Sequence, residues 1–142
     1  MSEATLQATI ADALAPLFHE GSVLVNDYRT PQTESRQRGP WAVIVLADEI
    51  AADPGASWSN PTLRYGVYVT LLDYRQGRDD RAMYDAFQAL RQNVLGALLS
   101  AAPPVRGIEA DTAVGPYFSE DGEPDPDSMA QRLIVTVEET EV

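Results

Sequence analysis

The stretch from Leu63 to Tyr74 constrains the fold more than any other. Leu63, Tyr65, Val67, Val69 and Leu71 alternate along it with Arg64, Gly66, Tyr68, Thr70 and Leu72. A period of two is that of a β-strand whose faces meet different surroundings. At twelve residues the strand is long for a small domain, long enough to project beyond its sheet. A second pattern follows at once. Met83, Ala86, Phe87, Leu90, Val94, Ala97 and Leu98 recur at helical spacing, Asp79 and Asp80 suit an N-cap and first turn, and Pro103-Pro104 stops the run. Each element has an apolar side to bury, so sheet and helix must form two layers.

The remaining segments fit that frame. Leu6, Ile10, Ala13, Leu14 and Leu17 predict a first helix ending near Phe18, with Pro16 straining its last turn and Gly21 beyond it. Val23 to Val25 reads as a short strand. Trp41 to Ala47 is an almost continuous apolar strand, the pattern of one covered on both faces. Further strands are expected from Arg106 to Val114 and from Ala130 to Glu138. Tyr28 to Pro40, Asp48 to Pro61 and the acidic Ser119 to Ser128 read as loops, Gly115 to Phe118 as irregular chain, and Glu139 to Val142 as a frayed tail. The expectation is one α+β domain over residues 1–142, a mostly antiparallel sheet with two helices packed on it, in the order α-β-β-β-α-β-β.

Composition narrows the chemistry. The 142 residues contain no Cys and one His (His19), and all ten cations are Arg. Without Lys there is no Schiff base or Walker lysine, and without Cys no thiol nucleophile, thiolate zinc site or disulfide. Ten cations against 22 acids give a net charge of -12, which disfavours nucleic acid and anionic membranes at long range. The start Met1-Ser2-Glu3 has no basic, apolar leader pattern, and Trp41–Ala47 is too short to cross a bilayer. A soluble protein is expected.

No catalytic, cofactor or metal site is expected. Asp121, Glu123, Asp125 and Asp127 alternate as in a calcium loop, but Pro124 and Pro126 interrupt them and the EF-hand order is absent. A solvated hairpin tip is the simpler reading. Asp48/Glu49 and Asp79/Asp80 are sequence neighbours, which do not face each other across a cleft. His19 has no Ser or Asp partner in the sequence, and its place after a helix suits the dipole. The more suggestive residues are Arg29, Arg36 and Arg38 in one loop and Trp58 in another. Arg and Trp are enriched at interface hot spots. Together with Arg64 and Tyr68 on the long strand, they are the expected interaction residues.

Taken whole, the series "Val-Leu-Val", "GPWAVIVLADE", "LRYGVYVTLLDYR", "DRAMYDAFQALRQNVLGALL", "GIEADTAV" and "AQRLIVTVEE" after a short N-terminal helix resembles a known family. It is similar to the tail terminator (tail completion) proteins of long-tailed bacteriophages and related gene transfer agents, from about Thr5 to Glu138. The resemblance implies a structural virion protein at the tail–neck junction, assembled in the host cytoplasm. It implies a homo-oligomer, a hexameric ring on the tail tube, that ends tube polymerisation and meets head-completion or stopper proteins. DNA would pass through its lumen without sequence-specific binding, with no membrane, cofactor or catalytic role. Three alternatives stand beside it: a head-tail connector or stopper, a small α+β ligand-binding module with an aromatic pocket (Trp41, Tyr65, Tyr68), and a carboxylate-dependent hydrolase.

Overall fold

The computed structural model describes residues 3–19, 21–25, 40–52, 62–101, 105–118 and 122–140. In chain order the elements are α1 (Glu3–Leu14), a 3-10 turn (Ala15–Leu17), β1 (Val23–Val25), β2 (Trp41–Ala52), β3 (Thr62–Tyr74), α2 (Asp80–Leu99), β4 (Val105–Ala110), β5 (Gly115–Phe118) and β6 (Pro124–Thr140). The strands form one six-stranded sheet in the order β1-β2-β3-β6-β4, with β5 also paired to β6. All pairings are antiparallel except β1 with β2. The α+β class and the mostly antiparallel sheet are as expected, with one strand more.

The alternation in β3 divides the sheet into two faces. Val67, Val69 and Leu71 join Ala42, Ile44, Leu133 and Val135 in the main core, against Leu6, Ile10 and Leu14 of α1 and Phe87, Val94 and Leu98 of α2. Both helices thus cover the same face. Each fully buried Leu, Val or Phe there contributes roughly 1.5–3 kcal/mol of transfer free energy. On the other face Trp41, Leu72 and Tyr74 form a smaller cluster with Leu24, Tyr117 and Ala130 packed against it. Trp41 through Ile44 are all buried, so this part of the strand is covered on both faces, as its unbroken apolar run implies.

Helix ends follow local chemistry. α1 stops at Leu14, earlier than expected, because Pro16 lacks the N–H that an α-helical bond would need. Asp79 caps α2, its Oδ1 accepting from Ala82 N at 2.7 Å. At the other end Ser100 Oγ donates to Gly96 O at 3.0 Å, so α2 closes before Pro103-Pro104.

Four strands differ from expectation. β2 runs on to Ala52, so the loop expected at Asp48 begins inside a strand. Between the pairs Leu46↔Val67 and Ile50↔Tyr65, Gly66 faces three residues of β2, a bulge that takes the acidic Asp48-Glu49 out of the ladder. β4 ends at Ala110 instead of Val114, and Gly115–Phe118 is β5 instead of irregular chain. The acidic loop gives way to β6 at Pro124, because Tyr117 and Phe118 pair with Asp125 and Pro124. Prolines are tolerated there because the β5–β6 ladder is short and interrupted, and needs few of their missing N–H groups. Where that ladder is interrupted, Ser128 Oγ accepts from Tyr117 N at 2.9 Å and donates to Asp125 O at 2.8 Å.

Candidate interaction surfaces

The sheet face away from the helices carries the first candidate. Thr70 and Arg132 are register partners on β3 and β6, which sets Arg132 diagonally across from Tyr68. The Arg132 guanidinium lies over the Tyr68 ring, 4.5 Å from its centroid. The Asp111 carboxylate holds the same guanidinium in a salt bridge. Backbone bonds fix the geometry: Arg132 N donates to Thr112 Oγ1 at 2.9 Å, and Asp111 N donates to Arg132 O at 2.9 Å. Ring stacking and a carboxylate together hold a long cation in one place. Beside it, Thr70, Tyr117, Phe118 and Ala130 line a shallow groove of about 370 Å³, and Phe118 is 59% exposed.

The second candidate lies where α2 begins. Arg75, Asp80, Met83, Tyr84, Val114 and Met129 are among the residues that line a groove of about 390 Å³. The link from β3 to α2 carries Arg75 to that groove. Gln76 and Gly77 both have positive φ, 51° and 78°, and Arg78 N donates to Arg75 O at 3.0 Å, closing a tight turn. Arg78 then folds back onto the strand end. It donates to Tyr74 O at 2.6 Å, to Arg75 O at 3.0 Å and to Asp73 Oδ2 at 3.1 Å.

Arg75 points the other way, to Asp80 at 2.6 Å and Asp127 at 3.2 Å, and donates to Pro126 O. The hydrogen bond to Asp80 is the main cause that raises its pKa above the ordinary arginine value. One guanidinium therefore pins the start of α2 to the start of β6.

Of the six expected interaction residues, Tyr68 is placed on the first surface. Arg64 lies on β3 in register with Ala51 and Glu138. Arg29, Arg36, Arg38 and Trp58 lie outside the described residues. Sequence reasoning missed Arg132 and Asp111. The only signal was a charged residue alternating with Leu133 and Val135, and its partners depend on strand register, which a lone sequence does not contain.

Among the described residues no group of three or more His, Cys, Asp or Glu could hold a metal ion, and no helix is long and apolar enough to cross a membrane. His19 follows the 3-10 turn, where its carbonyl accepts from Ser22 N at 2.9 Å. A scan against protein-family models matches no family, and a search of curated proteins returns no significant match.

Proposed function

We propose that this chain is a structural assembly protein, a tail terminator of a long-tailed phage or gene transfer agent. In this reading it forms a ring, six subunits by the family's pattern, that caps the tail tube at the tail–neck junction. It ends tube polymerisation and presents a face to the head-completion or stopper protein. The observation that carries the reading is the order of elements along almost the whole chain, a first helix, three strands, a long amphipathic helix and a returning sheet. A closed ring needs two different patches on each subunit, one meeting the other on the next copy. Two distinct surfaces, on opposite faces of the sheet, are compatible with that requirement. The excess of acids would let DNA slide through a lumen without sticking.

Deleting the gene and imaging the tails tests the proposal. A terminator leaves overlong tubes. Tails of normal length detached from filled heads would instead favour the connector alternative, and normal infectious particles would overturn both. Purified protein added to polymerising tube subunits should fix tube length in a dose-dependent way.

A further inference from the structure

The groove at the start of α2 has two walls. Asp80, Met83 and Tyr84 of α2 belong to one, and Pro126, Ser128 and Met129 of β6 to the other. The β6 wall changes character at Ser128. Inward of it the chain is anchored: Ser128 is buried, Met129 packs on the main core, and Ala130 packs on the smaller cluster. Outward of it Gly122, Glu123, Pro124, Pro126 and Asp127 are all exposed, as is Phe118 across the ladder. That outer end is also weakly paired. Its register breaks between Gly115 and Tyr117, and Pro116, Pro124 and Pro126 have no N–H to give to a ladder.

Arg75, the residue after β3, grips this outer end. Its Nε donates to Asp127 Oδ1 at 3.2 Å and its Nη2 to Pro126 O at 3.2 Å. Its Nη1 reaches Asp80 Oδ1, on the α2 wall, at 2.6 Å. One guanidinium thus spans both walls. All three side chains stay in contact with solvent, Arg75 26%, Asp80 89% and Asp127 67% exposed. Exposed ion pairs are weak, and salt weakens them further. A segment anchored at one end and closed at the other by such pairs opens locally well before the core unfolds.

We propose that Arg75 is a salt-sensitive strap across the groove. When it releases Asp127, residues 122–127 and Phe118 swing away from α2 about Ser128, and the groove widens while the core stays closed. Ser128 suits the hinge, because its Oγ ties Tyr117 N to Asp125 O at 2.9 and 2.8 Å and keeps the two strands together as they move. The motion lies within one chain and stands apart from the assembly role proposed above.

Amide exchange followed by NMR reads the opening. Asp127 O accepts from the residue 75 amide at 2.7 Å, so that amide loses its partner each time the strap lets go. An exposed pair shifts an equilibrium by up to about fivefold, so Arg75→Met should lower protection at residue 75 about fivefold and leave Val69 and Leu90 unchanged. Raising NaCl from about 0.05 to about 1 M should act in the same direction on the native chain and little on the variant. Asp80→Asn cuts the strap on its α2 side alone and should lower the same protection about twofold or more. The chain has no native Cys, so nitroxides on Arg81→Cys and Glu123→Cys mark α2 and the outer end of β6. Their distance distribution should gain a longer component when Arg75→Met is added. Three results would overturn the strap: residue 75 protection and nitroxide distances both indifferent to Arg75→Met, protection lost equally at Val69 and Leu90, or no effect of Asp80→Asn at residue 75. The last would mean that Arg75 ties β6 to the end of β3 and leaves α2 out.

Discussion

Replacing Arg78 with Ala tests how the chain turns from sheet to helix. Asp73 is the last inward-facing residue of β3, buried beneath the start of α2 with 6% of its side chain exposed, whereas Arg78 is 31% exposed. One Asp73 oxygen accepts from Tyr74 N at 2.8 Å and the other from Arg78 at 3.1 Å. Removing Arg78 leaves a buried carboxylate without its cation and strips donors from Tyr74 O and Arg75 O. Breaking a buried pair from one side costs about 3–5 kcal/mol, and partial solvent access to Arg78 places the expectation near the low end, about 3 kcal/mol. For a chain of this size that is a fall in Tm of roughly 6–12 °C.

The assay is urea unfolding followed by circular dichroism, with a reduced midpoint and an unchanged slope. The companion variant Asp73→Leu/Arg78→Met removes both charges and keeps side-chain bulk. It should recover most of the loss, because a desolvated pair adds little over apolar packing once neither charge is orphaned. A loss under about 1 kcal/mol for Arg78→Ala would refute the reasoning. So would a double variant as unstable as the single one, because the damage would then come from lost packing and carbonyl donors instead of the stranded carboxylate.

Phe87, fully buried in the main core, should lose about 3–5 kcal/mol on change to Ala, read from the same urea curves. Gly77→Ala should cost about 1–2 kcal/mol through its positive φ alone, since nothing crowds the added methyl, and a cost near zero would mean that the turn reshapes freely. Trp58→Ala and Arg36→Glu should impair ring or tail assembly more than folding; equal losses in both would make Trp58 a core residue. Arg132→Ala should change unfolding by less than about 1 kcal/mol, because the Arg132 side chain is 45% exposed, yet should reduce association with tail tubes if this face is a contact surface.

The sequence made the core legible where pattern and environment agreed. Alternation in β3 assigned Val67, Val69 and Leu71 to one face, and helical spacing picked out Met83, Phe87, Leu90, Val94 and Leu98, all five buried in α2. Boundaries were less legible where pairing overrides composition. Nothing in Asp48 to Ala52 reads as strand, yet β3 extends alongside it and the ladder resumes past the bulge at Ile50. Pro116, Pro124 and Pro126 argue against β-structure locally, and β5 and β6 pair there with interruptions. The candidate surfaces were the least legible. Tyr68 is visible as an aromatic on a strand, but its stacking with Arg132 needs the β3–β6 register, and the Arg75 pin needs Asp80 and Asp127 brought together across the fold.

Length accounts for a further division within the sheet. The 20 residues of α2 extend about 30 Å at helical rise, whereas the 17 residues of β6 extend about 58 Å at strand rise. A single helix of that length spans only about nine residues of a strand. Among the described side chains, the buried core residues that β3 and β6 supply lie within such a window, residues 67–71 of β3 and 133–135 of β6. Beyond it β2, β3 and β6 continue together, through the pairs Ile50↔Tyr65 and Tyr65↔Val137 and on to Thr62↔Thr140. The long strand therefore does not project beyond its sheet, because it is paired with β6 along its whole length. On the ring reading proposed above, the paired ends of β2, β3 and β6 would be available to an adjacent subunit or the end of a tube, and shortening β3 and β6 in register should then affect assembly before it affects the core.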